Sequence, residues 1–595
     1  MAKAMKISER PQPQYGSDVI VDMLKSFEIE YVALNPGSSF RGLHDSLVNY
    51  GGNQKPETIL VCHEEIAVGV AIGYARAKGR PMAAAIHNVV GLQHATMAIY
   101  NAWCDRQPVI VLGGTGPVDS TNRRPGMDWT HTALVQGNLV RDFVKWDDQP
   151  GSVEAIAESF IRGYRLATTE PKGPVYLCYD VDVQEKKLDG QIFLPDLERY
   201  APALPLQAPE EGFKKSLEWL TDAKAPAIIA DTVGRHERGF RALQELAELL
   251  AAPVLDRGSR FNFPTNHPLN LSGLEEKVLS RCDLVLALDV ADFHGAVSKR
   301  NQEMGQRIPT PLLSPGTKII NVGLEDLLVR SWSTDFFKLR EADLSVLADT
   351  SVFLPELLRR LRDEKEFLKR KQSDIEARRR DWINLRREKE EALGKETRAK
   401  WEVEPVSTNR LFSELATVLK DDEWVLVNST GAQKENLFLG PDKFNQVLGK
   451  NKGGGLGYGL PASVGAALAL KDSGKICVDV QPDGDMLMTI TALWTAAHHR
   501  IPLLVVVFNN RSYYNDEEHQ ERMAQLRGRP VENKTIGIRI EDPPFDFATM
   551  ARACGHWSAG PISDPGEVGK TLRDALRVVK EEKRLALVDV VCQMR

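Results

Sequence analysis

The sequence lacks the features that mark zinc-finger, membrane and nucleic-acid-binding proteins. Its seven cysteines are scattered without a Cys-x-x-Cys pair, which excludes the common cysteine zinc sites. No apolar run is long enough to span a bilayer, and residues 1–14 are polar rather than signal-like. The formal net charge of −6 provides no basic surplus for nucleic acid. We therefore expect a protein of the reduced cytoplasm that binds neither membrane nor nucleic acid.

The length of the chain and its repeated pattern of strands, turns and helices indicate its architecture. The 595 residues are too many for one hydrophobic core and predict about three or four domains. Three blocks repeat a short β-rich apolar run, a turn and a helical pattern, which is typical of parallel sheets with crossover helices. The predicted fold class is therefore α/β, with three doubly wound parallel-sheet domains at residues 12–190, 205–350 and 405–595. Residues 355–402 are rich in Arg, Lys and Glu and predict a charged helical linker with a largely solvated surface.

Two polar side chains follow neighbouring apolar runs in the last block. Asp483 comes after a run that ends near Val480, and Asn510 comes 27 residues after Asp483, behind the apolar run 501–508. The residues between them have a helical pattern, so the carboxylate and the amide should lie at one edge of a parallel sheet. Oxygen ligands of this kind suit a hard cation such as Mg²⁺, which keeps waters and phosphate oxygens in its other positions.

A second acidic residue of interest, Glu64, stands between a strand pattern and a helical pattern that runs to Lys78. A single Glu at a helix start is ordinarily only a favourable charge for the helix dipole. Here the His-Glu-Glu motif at 63–65 and the distant Asp–Asn pair together favour a functional role. Small residues along this helix also predict close packing against another helix, which would fit a tight subunit interface.

With these motifs the chain resembles thiamin diphosphate-dependent enzymes of the decarboxylase superfamily over almost its whole length. Its local motifs are most similar to those of benzoylformate decarboxylase and acetolactate synthase-like enzymes. The resemblance implies a pyrimidine-binding, a central and a diphosphate-binding domain, in the order of the three blocks. It also implies that Glu64 hydrogen-bonds the aminopyrimidine ring, with a raised pKa that lets its carboxyl share a proton with a ring nitrogen. The ring can then remove the thiazolium proton, and the cofactor acts as the electron sink.

The resemblance further implies which residues touch the cofactor. The turn 453–461 matches the family's glycine-rich turn, where backbone approaches the cofactor closely and Leu456 acts as the apolar wedge that keeps it bent. The residues assigned to cofactor binding are Glu64, Gly454, Gly455, Leu456, Asp483, Gly484, Asp485 and Asn510.

The implied metal site has one departure from the family pattern. Asp483 and Asn510 would bind Mg²⁺ through their side chains, and Ser512 through its main-chain carbonyl. The family's usual Gly-Asp-Gly is Pro-Asp-Gly-Asp here, so Asp485 offers a rival register, 25 residues before Asn510. The downstream helical block favours Asp483 by its spacing. Asp485 is electrostatically awkward near a diphosphate unless it caps the next helix or turns away.

Three residues resemble the substrate-handling groups of benzoylformate decarboxylase-like enzymes. Ser38, in an Asn-Pro-Gly-Ser turn, matches a serine that contacts the substrate carboxylate. His87 and His294 match two active-site histidines, which could protonate the enamine left after CO₂ departs and later deprotonate the product alcohol. The alternative for each histidine is an ordinary strand-end residue bonded to backbone, and Ser38 could be only a turn former.

The resemblance thus implies a thiamin diphosphate- and Mg²⁺-dependent carbon–carbon lyase that decarboxylates a 2-oxo acid through a cofactor-bound enamine, with or without carboligation. Open alternatives are an acetolactate synthase-like transferase, a 2-hydroxyacyl-coenzyme A lyase, and a cofactor-binding protein without catalysis. The two histidines favour the lyase, because they serve protonation. The central block lacks an obvious Gly-rich dinucleotide turn, which leaves a bound flavin or nucleotide undecided.

Two further expectations concern the surroundings of the site. Residues 511–545 form a long charged segment with no clear helix or strand identity, which predicts a lid that helps to select the substrate. The resemblance also implies a homodimer or homotetramer with the active site at the subunit interface.

Overall fold

The computed structural model describes residues 12–126, 130–190, 192, 194–299, 310–328, 338–430 and 434–594. These residues form three parallel sheets with helices packed against them, so the predicted α/β class with three sheets is confirmed. Among the described residues, no helix combines the length and the apolar character that crossing a bilayer would require.

The elements are numbered in chain order. The strands are β1 Tyr31–Leu34, β2 Glu57–Leu60, β3 Met82–Ile86, β4 Val109–Thr115, β5 Trp146–Asp148, β6 Val175–Asp180, β7 Pro226–Ala230, β8 Val254–Asp256, β9 Leu284–Leu288, β10 Ser298–Lys299, β11 Thr310–Pro311, β12 Lys318–Gly323, β13 Leu344–Leu347, β14 Trp424–Asn428, β15 Ile476–Pro482, β16 Leu504–Asn509, β17 Trp557–Ile562 and β18 Ala586–Val591. The α-helices are α1 Gly16–Ser26, α2 Arg41–Asp45, α3 Glu64–Lys78, α4 Val89–Cys104, α5 Ala155–Thr168, α6 Val181–Glu185, α7 Glu210–Asp222, α8 Glu237–Leu250, α9 Glu275–Leu279, α10 Phe293–Ala296, α11 Thr350–Asp363, α12 Lys365–Ala399, α13 Thr408–Leu419, α14 Lys434–Leu439, α15 Gly459–Leu470, α16 Asp483–Met488, α17 Ala492–His498, α18 Tyr514–Leu526, α19 Phe547–Ala553 and α20 Pro565–Arg577. Short 3₁₀ or π turns lie at Ser38–Phe40, Ser46–Tyr50, Gln136–Leu139, Arg141–Phe143, Leu197–Tyr200, Val233–Arg235, Glu325–Leu328, Val531–Thr535 and Val578–Glu582.

The chain divides into two compact units. The first contains the described residues of Met1–Ala203 together with Lys452–Lys471 and Thr489–Ile501. The second contains those of Leu204–Asn451, Asp472–Met488 and Pro502–Arg595.

The first unit contains a six-stranded sheet of order β2-β1-β3-β4-β6-β5, in which every neighbouring pair is parallel. Strands β3, β4 and β6 are buried along their whole length, as expected for a parallel sheet with both faces covered by helices. On one face α1 and α5 pack together and contribute Val19, Ile20 and Phe160 to the core. The carboxyl ends of β2 and β3 lead directly into the segments that carry Glu64 and His87.

The small residues of α3 serve a helix pair within the chain. A Cβ on Gly73 would lie 1.8 Å from the carbonyl oxygen of Ala462 in α15, and a Cβ on Gly465 would lie 1.9 Å from that of Val70. Such close backbone approach is possible only with glycine at both positions. The predicted close packing is therefore confirmed, but the partner helix belongs to the same chain rather than to a second subunit.

The second unit contains two five-stranded parallel sheets, of order β13-β12-β9-β7-β8 and β14-β15-β16-β18-β17. Strands β15, β16 and β18 are rich in valine and almost fully buried, because β-branched side chains pack well on a covered sheet. A short antiparallel pair, β10 with β11, lies apart from both sheets.

The charged segment predicted as a linker is helical, forming α11 and α12. Its surface is less solvated than expected, because α11 buries its leucines in the core around the sheet of β7 to β9. Helix α12 is fastened to the same domain by long basic side chains. Arg378 donates to the Lys224 carbonyl at 2.6 Å, and Arg386 donates to the Thr265 carbonyl at 2.7 Å. The apolar stems of arginine let such charged helices pack against a domain while the guanidinium binds backbone oxygens.

Candidate active site

Glu64 is the first residue of α3 and is buried, with 4% of its surface exposed. His63 caps the helix, since its Nδ1 accepts a hydrogen bond from the backbone N–H of Glu65 at 3.2 Å. Gly91 on α4 packs against the carboxylate, because an added Cβ would lie 2.9 Å from Glu64 Oε1 and 2.8 Å from the Cβ of His87. The predicted residues Glu64 and His87 are therefore neighbours across this glycine.

The carboxylate of Glu64 is held by hydrogen bonds. His94 Nδ1 lies 3.0 Å from Glu64 Oε2, and the Asn35 side chain also bonds this carboxylate. Burial alone would raise the pKa of Glu64, but the bonds from His94, its own backbone N–H and Asn35 lower it below the ordinary value. The prediction of a raised pKa for Glu64 is therefore wrong for this structure. The residues next to Glu64 in the sequence are mostly apolar, but His94 and Asn35, which lie elsewhere in the chain, bring hydrogen-bond donors to its carboxylate.

His87 follows β3 and is held in one tautomer. The backbone N–H of Asn88 donates to His87 Nδ1 at 2.9 Å, and Ser39 Oγ lies 2.9 Å from the same nitrogen. Because Nδ1 accepts, the proton of the neutral ring must be on Nε2. His131 packs edge-on against the ring, with centroids 5.5 Å apart.

Several residues near these groups were not predicted from the sequence. Ser38 lies on the expected turn and is half-buried, but its neighbour Ser39 is the serine that contacts His87. His94 and His131 belong to no motif, and Asn35, although it opens the Asn-Pro-Gly-Ser turn, was given no role. The Gln-His pair at 93–94, two residues after Gly91 in the helix that follows the predicted histidine, was the available signal for His94.

The glycine-rich turn lies in the same unit and has the conformation that glycine permits. Gly454 and Gly457 have φ values of +66° and +84°, in the left-handed region. Leu456, the predicted wedge, is a large apolar side chain with 42% of its surface exposed. Asn101 on α4 donates to the Gly455 carbonyl at 3.5 Å, which ties the turn to the helix that carries His94.

The predicted metal ligands lie in the second unit, at the carboxyl ends of adjacent strands. Pro482 of β15 pairs with Phe508 of β16, so Asp483 and Asn510 follow neighbouring strands at one sheet edge, as the spacing predicts. Asp483 is 3% exposed, and its Oδ1 accepts the Gly484 N–H at 2.8 Å. Its Oδ2 is buried and has no hydrogen-bond partner among the described residues. Burial raises the pKa of Asp483 to about 6 despite several backbone donors.

The neighbours of Asp483 favour it over Asp485 as the ligand. The side-chain amide of Gln481 donates to Asp485 Oδ2 at 2.6 Å, so this carboxylate is engaged on the first turn of α16. Asn510 Oδ1 accepts the Ser512 N–H at 3.0 Å, which draws the two remaining predicted ligands into one tight turn. A cation would supply the partner that Asp483 Oδ2 lacks among the residues that the structure describes.

The segment 511–545 is more ordered than the sequence indicates. It contains the 13-residue helix α18, and its ends meet where Ile540 donates to the Arg511 carbonyl at 2.8 Å. Glu517, on the buried side of α18, accepts a hydrogen bond from Ser512 Oγ at 3.0 Å and pairs with Arg539 at 3.3 Å. The sequence gives this segment no clear helix or strand identity, whereas the structure contains a helix whose buried Glu517 pairs with a residue distant in sequence. The role of the segment as a lid stays a prediction.

His294 lies in the second unit, on the short helix α10. Asp292 caps that helix by accepting the Gly295 N–H at 3.0 Å. The histidine is buried, and burial, followed by the charge of Lys338, lowers its pKa. Its role together with His87 stays a prediction.

Known families and proteins match this chain. The N-terminal TPP binding domain of thiamine pyrophosphate enzymes matches residues 14–139, and the C-terminal TPP binding domain matches residues 433–590. Benzoylformate decarboxylase of Pseudomonas aeruginosa is 25% identical over 545 residues, covering 86% of this chain and 90% of that protein. The acetolactate synthase isozyme 3 large subunit of Escherichia coli is 26% identical over 589 residues, covering 97% and 94%.

Solved structures share the fold. The thiamine diphosphate-dependent 4-hydroxybenzoylformate decarboxylase of Rhodococcus jostii superposes with a TM-score of 0.73 at 20% identity, covering 98% of this chain and 99% of that one. Benzoylformate decarboxylase of Polynucleobacter necessarius gives 0.74 at 18% identity, with coverage of 98% and 99%. Fold and matched domains together define a thiamin diphosphate-binding enzyme. The chain carries both TPP binding domains of thiamine pyrophosphate enzymes and is similar over most of its length to benzoylformate decarboxylase and acetolactate synthase.

Proposed function

We propose that this enzyme is a Mg²⁺-dependent carbon–carbon lyase that decarboxylates a 2-oxo acid, with or without carboligation of the aldehyde. The observation that carries the proposal is the fixed tautomer of His87, which presents a proton on Nε2. A lyase must return a proton to the carbon that loses CO₂, whereas a transferase joins that carbon to a second 2-oxo acid. A histidine with one proton fixed on its outer nitrogen suits the first task.

The residues present fit the cofactor. Asp483, with its unsatisfied buried oxygen, would hold Mg²⁺ together with the Asn510 side chain and the Ser512 carbonyl. Glu64 would hold the aminopyrimidine end, and the exposed Leu456 would support the cofactor from the glycine-rich turn. When bound, thiamin diphosphate supplies an electron sink next to the reacting carbonyl. The remaining proposed cofactor contacts are Gly454, Gly455, Gly484 and Asp485.

The protein's own side chains then have distinct tasks. Glu64 holds or releases a proton at its carboxylate, in a buried site that limits access of water. His87 delivers a proton from Nε2, while Asn88 and Ser39 keep the ring oriented through Nδ1. Ser38 would bind the substrate carboxylate, and His294 would assist proton transfer.

The proposal is tested by incubating the enzyme with Mg²⁺, thiamin diphosphate and a panel of 2-oxo acids, and identifying the products. Aldehyde and CO₂ from an aromatic or aliphatic 2-oxo acid support the lyase. Acetolactate from pyruvate would replace it with the transferase, which the Escherichia coli relative makes the second candidate. Cleavage of a 2-hydroxyacyl-coenzyme A with no turnover of 2-oxo acids would favour the third alternative.

Replacing His87 by alanine should separate loss of CO₂ from release of the aldehyde. We expect the first turnover to release CO₂ normally, while aldehyde formation slows by about 10²-fold, the usual contribution of general acid catalysis. Rapid-quench measurement of both products in one turnover checks this. His44→Ala, a half-buried histidine on α2 of the same unit, is the control. Loss of the CO₂ phase itself would show that His87 acts earlier.

We also propose that the active enzyme is a homodimer or homotetramer whose active site lies between subunits. The support is the resemblance of the chain to this superfamily, which implies that different copies hold the two ends of the cofactor. Light scattering of the loaded enzyme tests the proposal. A monomer with full activity at the same concentration would contradict it.

A further inference from the structure

One side of α4 lies directly against the glycine-rich turn, and both belong to the first unit. Met97, Asn101 and Asp105 are spaced four residues apart, in the second half of α4 and just beyond its end, and therefore share one face of the helix. A Cβ on Gly453 would lie 2.3 Å from Asn101 Oδ1, and a Cβ on Gly455 would lie 2.2 Å from the terminal methyl carbon of Met97. The turn therefore follows the surface that these side chains form.

Asp105 fastens the start of the turn to the same face. Its Oδ1 accepts a hydrogen bond from the backbone N–H of Lys452 at 2.8 Å, and its Oδ2 pairs with Arg76 Nη2 at 2.6 Å. The side chains of Arg76 and Asp105 are 2% and 0% exposed, so the ion pair is fully buried. The Arg76 guanidinium also lies 5.8 Å from the centre of the Tyr458 ring. One buried pair thus contacts the chain on both sides of Leu456.

Two glycines of the turn are needed for space rather than for backbone conformation. Gly454 and Gly457 have left-handed φ values, whereas Gly453 and Gly455 do not. Alanine could adopt the backbone conformation of Gly453 or Gly455, but its methyl group would collide with α4. The separation between the turn and α4 is therefore set by the side chains that meet there, and any shift of the turn carries Leu456 with it.

We propose that Met97, Asn101 and Asp105 are positioning residues that set the place of the glycine-rich turn and thereby hold Leu456 against the cofactor. This inference rests on the proposed function, because it takes Leu456 as the residue that supports thiamin diphosphate. A merely structural contact would stabilise the folded protein equally with and without the cofactor. A positioning contact instead changes the affinity of the folded protein for the cofactor.

Replacing Gly453 by alanine tests the proposal without breaking the buried ion pair, whose disruption would be strongly destabilising. The new methyl group meets Asn101 Oδ1, so the turn should move away from α4. Affinity for thiamin diphosphate with Mg²⁺, measured by calorimetry, should fall by about tenfold or more, the effect expected when a close contact is overpacked. Thermal unfolding of the cofactor-free variant should stay close to that of the wild type, because the turn yields. Gly151→Ala is the matched control, since a Cβ there meets no atom within 4 Å.

Removing the Asn101 side chain should restore binding if the collision is the cause. Asn101→Ala should fold, because Asn101 Oδ1 is buried without a hydrogen-bond partner among the described residues. In Gly453→Ala/Asn101→Ala the nearest atom to the new methyl group becomes the Asn101 Cα at 3.2 Å. Cofactor affinity should then return to within about threefold of that of Asn101→Ala alone. Gly454→Ala is strained by its φ of +66° and meets no atom, so Asn101→Ala should not rescue it.

A double-mutant cycle shows whether the contact acts through Leu456. In a Leu456→Ala background, Gly453→Ala should cost much less affinity than in the wild type, because the side chain that it displaces is already removed. Equal losses in the two backgrounds would contradict the proposed route.

The positioning role is overturned by an unchanged cofactor affinity in Gly453→Ala, or by a loss of affinity that Asn101→Ala does not restore. Lower thermal stability with normal affinity of the folded protein would also overturn it. If Gly453→Ala does not fold, the pair Gly455→Ala and Met97→Ala decides the matter, and it should show the same loss and recovery. If the wild type itself binds no thiamin diphosphate, the proposed function fails and this inference fails with it.

Discussion

Replacing Glu64 by glutamine is expected to reduce turnover by about 10²–10⁴-fold, the range for loss of a general acid–base group. Glutamine keeps the volume of the side chain, so the contact with Gly91 and the hydrogen bonds to His94 and Asn35 need not be lost. What it removes is the ability to hold and release a proton. Thiamin diphosphate should therefore still bind, which calorimetry measures separately from the steady-state rate.

The neighbouring Glu65 provides the control for this change. It lies on the same first turn of α3, where its backbone N–H donates to His63 Nδ1, and it is not among the residues assigned to cofactor binding. Glu65→Gln should keep most of the activity. A Glu64→Gln enzyme with near-normal rates would refute the role assigned to Glu64, and equal loss in both variants would indicate a general effect of charge at the helix start.

Replacing Asp483 by asparagine should have opposite effects on the metal-free protein and on the loaded enzyme. In the metal-free protein the carboxylate is buried with one oxygen unsatisfied, and burial raises its pKa from 3.8 to about 6. The wild type therefore loses stability as pH rises through this range, and asparagine avoids the loss. The free energy of unfolding at pH 7 should rise by up to about 3 kcal/mol, and the gain should vanish below about pH 4.

In the presence of Mg²⁺ and thiamin diphosphate the same variant should perform worse. Cofactor affinity should fall at least about 100-fold, because a charged ligand is lost. Thermal stabilisation by the cofactor should fall with it. Asp485→Asn tests the rival register at the neighbouring carboxylate, which already accepts a hydrogen bond from Gln481, and it should lose less affinity than Asp483→Asn. Loss of Mg²⁺ and cofactor binding in Asp485→Asn, with normal binding of both in Asp483→Asn, would establish the rival register.

Periodicity and strand ends were sufficient to predict the fold class and the meeting of Asp483 with Asn510. Buried valine-rich runs form parallel strands, and the edge at which they end follows from the direction of the chain. That Glu64 and His87 both belong to the active site was predicted only through the family resemblance. Both follow strand ends, but the sequence does not show that Gly91 brings them together.

The remaining features depend on contacts between residues distant in sequence. The pKa of Glu64 is lowered because His94 and Asn35 reach it in space, which its own helix does not reveal. In α18, the buried Glu517 pairs with Arg539, which lies outside the helix and far along the chain. The docking of α12 uses arginines that donate to backbone oxygens of two separate loops. In each case the local composition correctly indicated a charged segment but not which residues the charged side chains contact.

An experimental structure of the enzyme with thiamin diphosphate and Mg²⁺ tests most directly whether one cofactor joins Glu64 to the predicted metal site. We expect one cofactor molecule with its aminopyrimidine ring on Glu64 and its diphosphate, through Mg²⁺, on Asp483, Asn510 and the Ser512 carbonyl, from one chain or from two neighbouring copies. A bound cofactor that meets only one of these two groups, in every pairing of chains, would contradict it.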